Sequence, residues 1–206
     1  MSRLVILGAG GHGSVVADAA KLQKKWNEIV FLDDVWPEKK EFYDWPIQGR
    51  LDQFIDYIGH QSEFIVAIGN AKVRYTWLTK LISSSADIGI VIHPSAVVSD
   101  YALIDRGAVI FANAVINIGA SIGLGSIVNT SATVDHDVKL AICVHVCPGV
   151  NIAGGVVVGD FTWIGIGTAV KQMVSIGSNV VIGAGAAVIS DIPDNVKIVG
   201  VPAKVK

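Results

Sequence analysis

From Ile92 to Val188 every sixth residue is Ile, Leu or Val, seventeen positions in succession with no exception. A second column runs two residues ahead of it, from Ala96 to Ala186, and holds only Ala, Ser, Thr and Val. A six-residue period is the signature of a parallel β-helix, in which each hexad forms one short face and three hexads close one coil. The aliphatic column is expected to stack up the interior and the small column to fit the corners. Gly, Asn and Asp then serve turns that need positive φ. Between five and six coils at the ~4.8 Å spacing of paired strands predict a prism roughly 27 Å tall. After Val188 the period fails, and "SDIPDNVKIVGVPAKVK" is expected to lie over the last coil and cover its open edge.

The first 85 or so residues follow a different pattern. Apolar strand runs ("RLVIL", "EIVFLDD", "FIVAIG") alternate with helical patterns at 14–22 and 71–82, a short helix at 51–57 and an irregular stretch holding Trp36, Pro37, Trp45 and Pro46. Such alternation predicts a small parallel sheet of three or four strands, a Rossmann-like half-domain. The expected division is 1–88 for this α/β domain and 89–206 for the β-helix with its tail.

Within "GAGGHG", Gly8, Gly10 and Gly13 match G-x-G-x-x-G between a strand and a helix, with Asp33 twenty positions beyond Gly13. Glycines there allow a tight turn and aim backbone N–H groups and a helix N-terminus at a phosphate. Taken alone, the pattern suggests a nicotinamide cofactor. The sheet is too small for a full dinucleotide fold, however, and no second domain offers a hydride-acceptor site.

Composition narrows the rest. The chain is 51% hydrophobic and 17% charged, apolar enough to imply burial of surface against copies of itself. No run of about 18 uncharged apolar residues reads as a membrane span. A net charge of −2 gives no nucleic-acid surface. The start shows no basic region followed by a cleavable apolar stretch, so a cytoplasmic protein is expected. Cys143 and Cys147 form no disulfide framework and read as small filling residues at turns. The five histidines show no ligand spacing, so no metal site is expected.

Two histidines interrupt the prism, His136 in "VDHDV" and His145 in "CVHVC". Asp137 follows His136 and is suited to orient its imidazole and stabilise the protonated form. His136 and His145 are nine residues apart, half of an 18-residue coil, and so point from opposite sides of one cross-section. They can meet only between copies, which predicts active sites between subunits and three sites around an axis.

The short "GAGGHG" domain, "FLDD", "AIGN", "HPSA", the unbroken hexapeptide array, its "DHD" and the closing "VGVPAKV" together resemble the bacterial sialic-acid O-acetyltransferase and nucleotide-amino-sugar N-acetyltransferase family. The resemblance covers the whole chain. It implies a left-handed β-helix, a homotrimer and acetyl-CoA as co-substrate. It also implies that the N-terminal domain holds the nucleotide of a sugar, commonly UDP. On that pattern Gly10, Gly11 and His12 approach the diphosphate or sugar, and Asp33 and Asp34 hydrogen-bond the ribose or base. Gly69 and Asn70 line the base pocket, and Arg74 adds charge near the phosphates. His136 matches the general base and Asp137 its acidic partner, where some members carry Glu. Asn129 is placed near the sugar and His145 near the thioester of acetyl-CoA. Gly154 offers an N–H to the thioester carbonyl, while Ile166, Gly183, Ala184 and Gly185 run beside the pantetheine arm. Lys171, Lys197 and Lys204 are candidates for the CoA phosphates.

The resulting expectation is an N-acetyltransferase acting on the 4-amino group of a UDP-linked 4-amino-4,6-dideoxy sugar. The amine attacks directly, with no acyl-enzyme. A GDP-linked perosamine, a dTDP-linked amino sugar, or the hydroxyl of a sialic acid is the alternative acceptor. A nucleotide-binding structural protein on a catalytically inert β-helix is the non-enzyme alternative.

Overall fold

The computed structural model describes residues 2–206. The chain divides into two compact units, Met1–Pro94 and Ser95–Lys206. Residues 89–94 go with the first because Ile92 is tied to its first helix, its N–H donating to Gln23 Oε1 at 3.1 Å.

In the first unit the apolar runs form strands β1 (Arg3–Leu7), β2 (Glu28–Leu32), β3 (Glu41–Phe42), β4 (Trp45–Gly49), β5 (Ser62–Val66) and β6 (Asp87–Ile88), in the order β3-β4-β2-β1-β5-β6. All neighbours are parallel except the β3–β4 hairpin. The sheet exceeds the three or four strands expected because β3 and β6 are two residues long, too short for an apolar run to announce them. Leu4, Val5, Ile6 and Leu7 are fully buried, as a central parallel strand requires. Helix α1 (Gly11–Gln23) links β1 to β2, and α2 (Ala71–Ser83) links β5 to β6. A 3₁₀ turn fills Leu51–Tyr57. Helix α1 begins three residues ahead of the expected Ser14. A Cβ at Gly13 would overlap the Gly8 carbonyl oxygen, so only glycine lets the helix start this close to the sheet.

The second unit is a left-handed parallel β-helix of two-residue strands on three faces. Stacked partners lie eighteen residues apart, as in Val97↔Val115 and Val115↔Thr133. The aliphatic column is buried from Ile110 onward and the small column from Ala108 onward. Polar members of the small column are satisfied inside the wall: Ser126 Oγ donates to Ala141 O at 2.8 Å, and Thr162 Oγ1 donates to Gly177 O at 2.7 Å. From Gly107 to Gly185 every sixth residue has positive φ, between +54° and +74°. This column marks the corners, and Asp137 belongs to it.

Beyond Val188 the stack continues, contrary to the sequence expectation, with coils shortened to sixteen residues. Ile192 bridges Ile176 and Ile198 pairs with Ile182. Asp191 and Asp194 carry the shortened turns by accepting the Ser175 and Ser178 N–H groups at 2.8 and 2.7 Å. Lys204–Val205 then folds back antiparallel on Lys197–Val199, ending the parallel ladder.

Candidate active site

In the first unit, β1 leads through α1 to β2 on one side, while β5 lies on the other side of β1. The crevice at the carboxyl ends of β1 and β5 is therefore a topological switch point, where open α/β sheets bind ligands. It is bordered by the turns at 8–10 and 67–70. A Cβ at Gly10, Gly11 or Gly69 would meet nothing within 4 Å, so these backbones face open space. Helix α1 starts at Gly10 with no side-chain cap and no acidic residue in its first turn, leaving a partial positive charge for an anion. His12 lies half-buried in that turn.

The other residues expected at this site divide. Asp33 braces the turn, its Oδ2 accepting from Ala9 N at 2.7 Å and its Oδ1 from Val35 N at 2.9 Å. Asp34 points outward, accepting from Leu51 N at 3.3 Å and lying 3.9 Å from Arg50 Nε. One expectation needs correction. Arg74 is only 1% exposed and its Nη1 donates to the Ile68 and Gly69 carbonyls at 2.9 Å. It therefore holds the 68–70 turn from beneath and does not reach a phosphate. The Asn70 side-chain oxygen caps α2, accepting from Lys72 N and Val73 N at 3.1 Å.

In the second unit, His136 and Asp137 occupy the corner between the second face (Thr133–Val134) and the third (Lys139–Leu140). His136 Nδ1 lies 2.9 Å from Asp137 Oδ2. A carboxylate only accepts, so Nδ1 carries the proton and Nε2 keeps its lone pair. Eighteen residues on, Gly154 sits on the imidazole: a Cβ there would overlap Nε2. Gly155 N donates to His136 O at 2.9 Å, fixing that register.

Asp135, the first acid of "DHD", completes the corner. Its Oδ1 accepts from the His136 N–H and from Asn117 Nδ2, both at 2.7 Å. These bonds, the Asn117 amide foremost, hold its carboxyl below the usual carboxylate range. His136 is held above the ordinary imidazole value, first by the hydrogen bond to Asp137 and then by the Asp135 charge. A groove of about 380 Å³ adjoins the corner along the second face, lined by Asn117, Thr133, Asp135, Asn151 and Ala153 among others. The signal for Asn117 was available in the sequence, because it stands eighteen residues before Asp135.

His145 lies on the first face, which does not meet this corner, so one chain does not bring the two histidines together. Its Nε2 is 3.4 Å from Asn129 Nδ2, and its ring meets Trp163 edge-on at 6.5 Å. Asn129 thus accompanies His145, not His136. Ile166, Gly183, Ala184 and Gly185 share the corner between the first and second faces, where Gly185 N donates to Ile166 O at 2.8 Å. Lys171, Lys197 and Lys204 are exposed. Cys143 and Cys147 are buried, and burial pushes the Cys147 thiol up to about 11, which leaves it protonated at neutral pH. Among the described residues, no three His, Cys, Asp or Glu side chains converge as a metal-ligand set, and no helix is long and apolar enough to cross a membrane.

A hexapeptide β-helix bearing a histidine–carboxylate pair at an open corner, in a chain that also carries an α/β unit with an uncapped helix start, defines a class: the left-handed β-helix acyltransferases. Known proteins narrow it. The PglD N-terminal domain family matches residues 3–81. The chain is 30% identical over 189 residues to the GDP-perosamine N-acetyltransferase of Escherichia coli, covering 87% of this chain and 82% of that one. It is 35% identical over 112 residues to the UDP-N-acetylbacillosamine N-acetyltransferase of Bacillus subtilis, where the match spans 52% of this chain and only 50% of that relative. The acetyltransferase domain of PglB from Neisseria gonorrhoeae, solved with acetyl coenzyme A, is similar with a TM-score of 0.95 and 38% identity, covering 99% of this chain and 98% of that one. The chain belongs to the hexapeptide-repeat family of nucleotide-amino-sugar N-acetyltransferases.

Proposed function

We propose that the protein transfers the acetyl group of acetyl-CoA to the 4-amino group of a UDP-linked 4-amino-4,6-dideoxy sugar. The observation that carries the reading is the Nδ1–Asp137 hydrogen bond, which leaves His136 Nε2 as a base at an open corner beside Gly154. His136 takes a proton from the amine as its nitrogen attacks the thioester carbonyl. Asp137 and Asp135 steady the imidazolium that forms, and the Gly154 N–H takes up the charge that develops on the carbonyl oxygen. The proton then passes to the departing thiolate. Direct attack needs no protein nucleophile, in keeping with two buried thiols. In the first unit the uncapped start of α1 takes the diphosphate against Gly10 and Gly11, next to His12. Asp33 and Asp34, at the end of the neighbouring strand, keep lone pairs for the ribose or base.

The complete site requires two copies of the chain, because His136 and His145 stand on separate parts of the prism. A homotrimer, with a site at each junction, satisfies that geometry. A GDP-linked 4-amino sugar is the second reading, favoured by the E. coli relative, whose match extends over most of both chains. The deciding experiment follows thiol release from acetyl-CoA against UDP-, GDP- and dTDP-linked 4-amino sugars and free sialic acid. Turnover with the UDP sugar is expected. Turnover with the GDP sugar alone would select the second reading, and turnover with sialic acid alone would replace N-transfer by O-transfer.

A further inference from the structure

The corner column poses one residue against its own geometry. Its positive-φ positions are mostly glycine, or the short polar residues that tolerate this region. Only Phe161 and Met173 place long side chains there, at φ +60° each. Phe161 is half-buried, whereas Met173 is 76% exposed and buries little that would offset the strain. Strain kept without a packing return points to a role in function.

Its position supplies that role. Met173 N donates to Gly154 O at 3.0 Å, and Gly155 N donates to His136 O at 2.9 Å, so His136, the 154–155 turn and Met173 are consecutive tiers of one corner. A Cβ on Gly155 would overlap Met173 Sδ, just as one on Gly154 would overlap His136 Nε2. Two adjacent glycines therefore carry the thioether and the working imidazole nitrogen side by side on one turn. Ile118, one coil below His136, is another exposed apolar side chain of this corner, at 56%.

An amine within hydrogen-bond reach of Nε2, about 3 Å, attacks a carbonyl carbon about 3–3.5 Å further on. With the carbonyl oxygen turned to the Gly154 N–H, as the acetyl-transfer reading has it, the acyl chain of that carbon is assigned to the 154–155 turn. We propose that Met173 is a specificity-determining residue whose thioether walls the acyl pocket, accepting the methyl of an acetyl group and opposing longer chains. This rests on the acetyl-transfer reading above. The step is unchanged by chain length: the acyl carbon exchanges its bond to the CoA sulfur for one to the amine nitrogen, and the amine proton leaves with the thiol.

The test compares kcat/KM for acetyl-, propionyl- and butyryl-CoA with the accepted amino sugar, in wild type, Met173→Gly, Met173→Asn, Met173→Leu and Ile118→Ala. Gly and Asn both suit the positive φ, so at least one of them retains the fold. Since one methylene is worth about 10–200-fold in an apolar pocket, removing the wall is expected to lower the acetyl-to-butyryl ratio by about tenfold or more. Leu and the Ile118 variant are expected to keep the wild-type ratio. An unchanged ratio in both Met173→Gly and Met173→Asn overturns the proposal, and so does a shift in Ile118→Ala instead. Absence of acyl transfer by wild type to every amino sugar sinks the acetyltransferase reading itself, an outcome distinct from either.

Discussion

His136 owes its chemistry to two carboxylates that act on it differently. Asp137 accepts a hydrogen bond from Nδ1–H and so fixes the tautomer. Asp135 is bound to the His136 backbone N–H and to Asn117, and contributes its charge at a distance. Both favour the imidazolium, so under the proposed mechanism His136 becomes a neutral base only above the ordinary imidazole value. The acid limb of kcat/KM should therefore lie above about 6.5. In Asp137→Asn the limb should move to lower pH while the plateau falls, because the largest influence raising the imidazole is gone. A limb that stays in place, measured from pH 5 to 9, would separate His136 from the ionisation that controls rate. His136→Ala should lower kcat by roughly 10²–10⁴ with folding intact. At this scale the sequence exposed the "DHD" cluster as an anomaly. The eighteen-residue register also set Asn117 beside Asp135, but that its amide is the group bound to that carboxylate is decided only in the folded corner.

At the scale of elements, what matters is the glycine that lets one turn lie on another. Gly154 is needed where it stands because the imidazole occupies the space of its Cβ. Gly154→Ala should displace the ring, cutting kcat at least about tenfold, while thermal unfolding stays near wild type, since neighbouring corners carry side chains at the equivalent position. Retained kcat in a folded Gly154→Ala protein would mean that the ring need not hold this pose. In the first unit the same distinction separates two helix starts. Helix α1, with Gly10 as its N-cap, has no side-chain cap for its first N–H groups, whereas α2 gives two of its own to Asn70. "AIGN" and "GAGGHG" look alike as strand-to-helix turns. Only the cap geometry tells the uncapped turn from the self-satisfied one, and only burial shows that Arg74 is a brace.

For the whole molecule, the separation of His136 and His145 is the decisive fact, and reassembly tests it. Chains carrying His136→Ala and His145→Ala, mixed and reassembled, should recover activity above either parent, because some junctions then join two intact histidines. Activity no higher than that of the parents would place each site within one chain. The β-helix, its corners and the opposed histidines were all legible beforehand, since a stacked coil makes the same demand every six residues and each repeat states it again. The last coils were not legible: the sixteen-residue step breaks the count but not the stacking, and backbone pairing with Asp191 and Asp194 carries the chain across. Which polar groups remain for chemistry was likewise decided only in three dimensions. A side chain's hydrogen bonds are settled by neighbours one coil or one strand away, and residue order does not record how those bonds are spent.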